Sequence, residues 1–384
     1  MGVFDELVGQ EHAIAQIREA GTPGSSALTH AWLIVGPAGS GRSTLARAFA
    51  ETLVTGGADK PEVIAQVQAG SHPDVSVLAT DRVTITIDEV RELVSRSYFS
   101  PSISPYRVII IEDADRMTER TSNVLLKALE EPPPQTVWVL CAPSANDVLP
   151  TIRSRCRVVT LTTPTAADIA ELIRERAGVD YDRALTAATE AQSHIGMAMR
   201  LATDDEVWAR RDKTINIALR VSSVSQAVDA AVRLVQVATD DQKALLEKLD
   251  QDERDAQLRS MGLEPGATIP PTYRASVKAL EENQKRRQTR ALRDGVDRIL
   301  TDITSVLRDV LMVQVGAGTA LVNERFRQAI QEKASGHSVE ETLWRIDEVS
   351  VARARIEQNV PPALALEALL VALSGRVPAV PAEL

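Results

Sequence analysis

The fold follows from the segment AWLIVGPAGSGRS at residues 31–43. Its first five residues form a short apolar run ending at a glycine, a pattern typical of a buried parallel strand that enters a turn. Good helix formers with helical spacing continue from Ser43 to Leu53. The glycines between strand and helix allow the backbone to wrap a phosphate, and the start of the helix points free N–H groups at it. The segment therefore predicts a strand, a phosphate-binding loop and a helix.

Further apolar runs alternate with helical patterns up to residue 161. Asp88 is the expected N-cap of a helix over Glu89–Ser97, and Thr118 or Thr121 opens a helix that the proline run after Glu131 stops. This alternation predicts a parallel sheet with helices on both faces. The other predicted strands are Asp74–Leu78, Thr84–Ile87, Val108–Ile111, Val137–Cys141 and Val158–Leu161.

The pattern changes after Pro164, where helical periodicity continues without a convincing strand. We predict an α/β domain at residues 1–162, a small helical domain at 163–205 and an all-α domain at 206–384. The Gly/Pro-rich segment Gly262–Pro271 is expected to be a surface loop. Glu206–Leu249 is predicted to be helical, and Tyr273–Val315 to be a long helix or a pair of helices. The other predicted helices are Asp168–Ala177, Arg183–Gln192, Gly196–Ala202, Thr319–Ala334, Ser338–Gln358 and Pro361–Leu373.

Composition excludes several classes of protein. The 384 residues carry a net charge of -10, which disfavours stand-alone nucleic-acid binding because phosphate contacts drive that affinity. The two cysteines, Cys141 and Cys156, do not make a disulfide framework and indicate reduced thiols in the cytoplasm. Met1–Gln10 carries two acidic residues, so we expect no secretory leader. No apolar run approaches the ~20 residues that span a bilayer.

The phosphate loop departs from its pattern at one position. The pattern G-x-x-x-x-G-K-[ST] matches residues 36–43 except for lysine, which Arg42 replaces. Arginine keeps the charge but brings a long planar fork where the loop fits a compact ammonium. Ser43 remains as the hydroxyl expected to bind Mg²⁺. Two interpretations stay open, namely a degenerate site that binds ATP or ADP and a glycine-rich turn without a ligand.

A second motif is acidic: Glu112 and Asp113 directly follow the apolar run Val108–Ile111 (VIII). A working ATPase needs Asp to hold Mg²⁺ and then Glu to polarise water, and here the order is reversed. Each carboxylate is displaced by one methylene, roughly 1.5 Å, and a misplacement of ~1 Å can cost ~10²-fold in rate. The alternative is a solvated acidic strand end, which the reversed order favours over hydrolysis.

Together these segments resemble the clamp-loader subunits of bacterial DNA replication. The resemblance covers residues 5–162 and is weaker in later helices, as at Asn359–Glu367. It implies an AAA+ P-loop domain, a helical lid and an all-α collar through which subunits assemble. The segments that carry it are Asp5–Glu11 (DELVGQE), Thr29–Leu33 (THAWL), Leu125–Pro133 (LLKALEEPP) and Leu149–Cys156 (LPTIRSRC).

The resemblance implies a residue with a role outside its own chain. Arg155 matches an arginine that such subunits present to the ATP site of a neighbour, where it can stabilise charge on the transferred phosphate. The alternative is an arginine that makes a structural salt bridge in a helix–strand turn. The implied nucleotide-site residues, which would hold ATP or ADP with Mg²⁺ in degenerate form, are Val8, Gly9, Gly36, Gly39, Gly41, Arg42, Ser43, Thr44, Glu112 and Asp113.

Details favour the non-hydrolysing delta-prime branch of that family over its ATP-driven subunits. Ala69–Asp74 (AGSHPD) and Ile87–Arg91 (IDEVR) resemble that branch, and the expected polar sensor falls on Ala142 or Pro143. Arg200 lies one position late for the second sensor. The resemblance implies gamma/tau and delta subunits, the sliding clamp and primed DNA as partners, with no membrane. The alternatives are an active ATPase motor and a purely structural AAA+ adaptor.

Two other features concern ligands. The family usually carries a four-cysteine zinc module, but Thr55–Gln68 has no cysteine, so we expect no zinc there. His72 is expected to pack or to cap a turn. A basic run could contact DNA or an acidic neighbour, although such runs are more often solvated and paired with acids such as Glu281 and Glu282. Its members are Lys285, Arg286, Arg287, Arg290 and Arg293.

Overall fold

The structure, a computed structural model, describes residues 4, 7–58, 60–80, 84–261, 263, 269–270 and 273–375. It divides into two compact units, Met1–Thr203 and Asp204–Leu384, each of which we describe by itself. Asp5 and Glu6 of the quoted DELVGQE segment and most of the Gly262–Pro271 loop lie outside the described residues. The separate lid domain at 163–205 stays a prediction within the first unit.

The first unit contains a parallel sheet of five strands in the order β2-β3-β4-β1-β5. Each pair in that order is parallel, as predicted from the alternating strand and helix signals. The strands are β1 (Ala31–Val35), β2 (Val75–Leu78), β3 (Arg107–Ile111), β4 (Thr136–Ala142) and β5 (Arg157–Thr160). The helices are α1 (Glu11–Gly21), α2 (Arg42–Thr55), α3 (Pro61–Gln68), α4 (Ile87–Ser97), α5 (Glu119–Glu130), α6 (Pro150–Arg153), α7 (Ala166–Ala177), α8 (Tyr181–Glu190) and α9 (Ile195–Thr203).

Side chains that alternate along the strands build two cores, one on each face of the sheet. Trp32 and Ile110 belong to the core that includes α1 and α2, where the Trp32 ring meets Phe49 edge-on at 5.1 Å. Leu33 and Trp138 belong to the core that includes α4 and α5. Because both faces are covered, the central strands are buried along their whole length. The predicted fold class of the first unit is confirmed.

The predicted strand at Thr84–Ile87 is wrong. Ile85 makes only an isolated bridge to Met117, and α4 already begins at Ile87. Asp88 is not the N-cap either, because the Thr86 hydroxyl accepts from the Glu89 N–H while the Glu89 carboxylate accepts from the Thr86 N–H. This reciprocal capping box satisfies two helix-end donors at once and fixes the start of the helix two residues earlier than expected.

The second unit is entirely helical in its described part. Its helices are α10 (Asp205–Arg220), α11 (Val224–Ser260), α12 (Arg274–Gln314), α13 (Arg327–Ser335), α14 (Val339–Glu357) and α15 (Pro362–Ser374). The segment Glu206–Leu249, predicted to be helical, is divided at residues 221–223, where Ser223 caps α11. The helix expected from Thr319 begins only at Arg327, because Asp309 binds the backbone N–H groups of Val322 and Asn323 in a non-helical turn. Among the described helices, none is both long and apolar enough to cross a bilayer.

Candidate functional site

The phosphate loop occupies residues 36–41, between the carboxyl end of β1 and the first turn of α2. Gly39 and Gly41 adopt φ values of 76° and 96°, a left-handed backbone that favours glycine. Ser43 and Thr44 lie in the first turn of α2, half-buried. The sequence prediction of a strand, a glycine loop and a helix is confirmed at this place. The free N–H groups of the α2 N-terminus form a site for an anion.

The loop is closely packed by other parts of the first unit. A Cβ at Gly36 would lie 2.8 Å from the Cβ of Leu161, and a Cβ at Gly41 would lie 2.7 Å from Cδ2 of Leu7. Neither approach leaves room for a larger residue. Glycine is therefore required at both positions by space, and at Gly41 also by backbone conformation.

His194 covers the tip of this loop, and the sequence did not reveal this. A Cβ at Gly39 would lie 2.5 Å from Cγ of the His194 ring. Gln192 and Ser193, at φ 50° and 65°, form the turn that delivers the ring. Two successive non-glycine residues in the left-handed region are a costly conformation that surrounding contacts must hold. His194 Nδ1 accepts from the Met197 N–H at 3.2 Å and so caps the start of α9.

Two polar atoms of the loop are buried without a hydrogen-bond partner in the described part of the chain. They are Nη1 of Arg42 and Oγ of Ser40, which is 1% exposed. A buried donor without a partner costs roughly 1–3 kcal/mol, so such groups call for an explanation. A guanidinium nitrogen and a hydroxyl beside a helix N-terminus suit a phosphate oxygen. The cradle therefore fits the anionic part of a nucleotide.

The acidic end of β3 carries Glu112 and Asp113, each of which lies beside an arginine. Nη2 of Arg47 donates to Oε1 of Glu112 at 3.0 Å, and the Glu112 side chain is only 17% exposed. Asp113 has a left-handed backbone at φ 55° and lies 3.8 Å from Nε of Arg116. Burial raises the pKa of Asp115, and Asp113 raises it further, while the charges of Arg116 and Arg42 partly offset this. These carboxylates are held by cations of their own unit.

The N-terminal segment is fastened to the chain that follows β5. Thr162 Oγ1 donates to the Gly9 carbonyl at 2.8 Å, and the Gln10 side chain both donates to the Thr162 carbonyl and accepts from its N–H. Gly9 has φ 70°. Val8, which precedes Gly9 in sequence, is half-buried. The Leu7 side chain lies against Gly41 of the phosphate loop. The structure thus brings the predicted N-terminal segment and the loop together.

Arg155 lies at the amino-terminal end of the strands, whereas the phosphate loop lies at their carboxyl-terminal end. Arg155 precedes β5, whose Arg157 is paired in register with Trp32, whereas the loop follows Val35. At ~3.3 Å per residue along the strands, Arg155 is roughly 20 Å from the loop of its own chain. It cannot act on a phosphate bound there.

The Arg155 guanidinium is held in place at the surface. Nη2 donates to Oε1 of Glu130 at 2.5 Å, and Nη1 donates to the Thr151 carbonyl at 2.7 Å. This is the salt bridge that the structural alternative expects. The Arg155 side chain is 34% exposed and that of Glu130 49%, so the pair is solvated and contributes little to stability. A phosphate from outside the chain could therefore displace Glu130 at small cost.

The remaining candidates have structural surroundings. Ala142 closes β4 and is buried without a polar side chain. Burial raises the pKa of the Cys141 thiol, and it raises the pKa of Cys156 to about 12, so neither thiol is a ready nucleophile. His72 Nδ1 accepts from the Asp74 N–H at 3.2 Å, and burial lowers the pKa of His72. The described residues include no cluster of three or more His, Cys, Asp or Glu side chains suited to a metal.

The strand order and the loop after β1 define the first unit as a P-loop domain of the AAA+ class. Residues 9–165 match the family model described as DNA polymerase III, delta subunit. The chain is 35% identical over 146 residues to DNA polymerase III subunit delta' of Pseudomonas aeruginosa, covering 36% of this chain and 44% of the relative. Over this region the chain is therefore similar to DNA polymerase III subunits.

Other similar proteins carry the names gamma/tau and gamma. The chain is 35% identical over 159 residues to DNA polymerase III subunit gamma/tau of Mycobacterium tuberculosis, covering 40% of this chain and 27% of the relative. A gamma subunit-related protein of Thermotoga maritima aligns with a TM-score of 0.46 and 16% identity over 95% of this chain and 98% of that one. The chain spans about a quarter to a half of the length of its curated relatives.

Proposed function

We propose that this chain is a delta' subunit of a DNA polymerase III clamp loader in the cytoplasm. In this role it supports the ATP-dependent loading of the sliding clamp onto primed DNA, in a ring with gamma/tau and delta subunits. It does not hydrolyse ATP at its own site, which holds ATP or ADP with Mg²⁺ in degenerate form. Its Arg155 serves the ATP site of a neighbouring subunit.

The observation that carries the proposal is the ion pair between Arg47 and Glu112. A carboxylate that is to polarise water needs free lone pairs facing the nucleotide. Here the guanidinium of Arg47 neutralises Glu112 in a partly buried place, and Arg42 replaces the lysine that would reach the terminal phosphates. The loop supports binding through its backbone N–H groups, Ser40 and Arg42, while the acidic strand end supports no turnover.

The position of Arg155 supports the second half of the proposal. An arginine roughly 20 Å from its own phosphate loop can serve only a site on another chain. The guanidinium donates to Glu130 and Thr151, and because this pair is solvated an external phosphate can replace Glu130 at small cost. In a neighbour's site it would stabilise the charge that develops on the transferred phosphoryl group.

Reconstitution of the complex with this chain and its partner subunits tests the proposal. DNA-stimulated ATPase is expected to fall ~10³-fold or more with Arg155→Ala, in line with the loss of an arginine finger. Arg153→Ala is the matched control, because Arg153 is two residues away and contacts Asn146 within its own unit. An active motor subunit predicts instead that the isolated chain hydrolyses ATP. A structural adaptor predicts an unchanged ATPase with Arg155→Ala.

A further inference from the structure

The hairpin of α11 and α12 extends far beyond the core of the second unit. The last α11 residue in that core is Ala238, and Leu292 is the first α12 residue packed against it. From there α11 continues to Ser260, and α12 begins at Arg274. At ~1.5 Å per residue, the two helices project roughly 30 Å. We call residues 239–260 and 274–291 the arm.

The buried apolar side chains described in the arm are few. Leu258 and Val277 are each 4% exposed, and Gln284 is buried between the helices, where its amide donates to the Asp250 carbonyl. A projection that buries so little apolar surface adds little to the stability of the unit. Its length is therefore better explained by a surface that it presents than by a core that it completes.

The charges of the arm are sorted between its two helices. Residues 274–291 carry six basic and two acidic side chains in a chain whose net charge is -10. The arm part of α11, residues 239–260, carries seven acidic and four basic ones. The α12 part of the arm is thus a concentrated positive surface on an otherwise negative protein.

One basic residue of the run faces the partner helix. Arg287 donates to Asp250 and Glu253 of α11, each at 2.5 Å, with its side chain 23% exposed. These contacts raise its pKa, mainly through the hydrogen bond to Glu253. Arg287 therefore holds the hairpin together and is not part of the outer surface.

The outer row of α12 consists of Lys278, Lys285 and Arg286. Lys278 and Arg286 lie 4.0 and 3.8 Å from Glu282. These separations are longer than hydrogen bonds, and exposed pairs of this kind contribute ~0.5 kcal/mol or less. Lys285 is exposed. The row keeps most of its cationic capacity for an external anion.

We propose that this outer row binds the phosphate backbone of duplex DNA. From residue 278 to residue 286 the helix rises about 12 Å, which corresponds to roughly three to four base pairs of a duplex at ~3.4 Å each. Proteins that bind single strands combine basic residues with aromatic platforms for the bases. Residues 274–293 contain no aromatic residue, so the row offers charge without stacking. The row therefore suits duplex DNA that is bound through its phosphate backbone, without sequence preference.

A DNA contact on the second unit goes beyond the proposed function, because it does not depend on Arg155. The test uses the full chain and a fluorescein-labelled 20-base-pair duplex, with binding followed by anisotropy from 50 to 200 mM salt. The triple variant Lys278→Gln, Lys285→Gln, Arg286→Gln is expected to bind about tenfold or more weakly. Its slope of log K against log salt should be shallower by about 3.

The matched control changes three exposed cations of α11, namely Lys243→Gln, Lys248→Gln and Arg259→Gln. It removes the same charge from the same arm, and it should bind duplex DNA like the parent chain. Circular dichroism of both variants checks the helices. An equal loss in the control, no binding by the parent chain, or equal binding of a single strand would overturn the proposal. Displacement of the duplex by polyglutamate at matched charge would indicate an acidic protein partner instead and would also overturn it.

Discussion

Arg47 of α2 donates to Glu112 at the end of β3 across 3.0 Å, and this pair occupies the place where a P-loop enzyme keeps a free carboxylate. The two residues are 65 positions apart and meet only because α2 packs beside β3. Under the proposed function, this one contact accounts for a loop that keeps an anion-binding shape without a carboxylate free to assist hydrolysis. The proposed function can therefore be tested at individual residues of the first unit.

Restoring lysine in the loop should not restore turnover. With Arg42→Lys the loop regains its compact ammonium, but Glu112 is still paired and still precedes Asp113. We expect the isolated variant to show no ATP hydrolysis above the parent chain. Phosphate release measured with and without Mg²⁺ checks this. Turnover at ~1 s⁻¹, an ordinary enzymatic rate, would show that Arg42 alone disabled the site.

His194 and Gly39 should be energetically coupled. Gly39→Ala places a methyl 2.5 Å from the His194 ring in a left-handed conformation, so we expect a loss of about 2–4 kcal/mol in unfolding free energy. In a His194→Ala background the clash disappears, and only the backbone strain of ~1 kcal/mol remains. Urea unfolding of the four proteins measures the coupling as a double-mutant cycle.

Equal costs of Gly39→Ala in the two backgrounds would mean that the His194 ring does not rest on the loop. Gly24→Ala is a suitable control, since Gly24 also has a left-handed backbone, at φ 78°, but no atom lies within 4 Å of its Cβ position. Its cost should be that of the backbone alone.

Asp74 should make the first unit sensitive to acid. Burial by itself raises the pKa of Asp74, but N–H donors of Ser102, Ile103 and Ser104 and the Arg107 charge hold it below its usual value. A carboxyl with a depressed pKa stabilises the fold above the unfolded value near ~3.9 and loses that contribution as pH falls below it.

Asp74→Asn should remove this acid dependence and cost about 3–5 kcal/mol at neutral pH, because it leaves buried Arg107 without its countercharge. Urea unfolding of the parent and variant from pH 7 to pH 3 checks both statements. The difference between the two proteins should shrink as pH falls below about 4. A constant difference across that range would contradict the assigned role of Asp74.

Local sequence signals predicted those parts of the fold that local chemistry controls. The apolar runs at β1 and β3 and the loop glycines were sufficient for the parallel sheet, because both-face burial leaves a simple pattern. The start of α4 was missed because Thr86 and Glu89 competed with Asp88 as capping residues. The break before α11 was missed because the helical pattern on either side of Ser222 and Ser223 is otherwise continuous.

Contacts between residues distant in sequence explain what was missed at the candidate site. The Arg47–Glu112 pair and the contact of His194 with Gly39 join segments that carry no mark of their proximity. Two consecutive left-handed residues, Gln192 and Ser193, are invisible in the sequence because neither is glycine. Arg155 was found only through the resemblance of its motif, and its salt bridge to Glu130 became known from the structure.

The most direct measurement is the DNA-stimulated ATPase of a reconstituted clamp loader that contains Arg155→Lys in this chain. Lysine keeps the charge but loses the planar fork, so the account predicts a large loss of turnover while assembly and the ATP affinity of the complex stay near those of the parent. An ATPase equal to that of the parent complex would contradict the claim that this chain completes its neighbour's site.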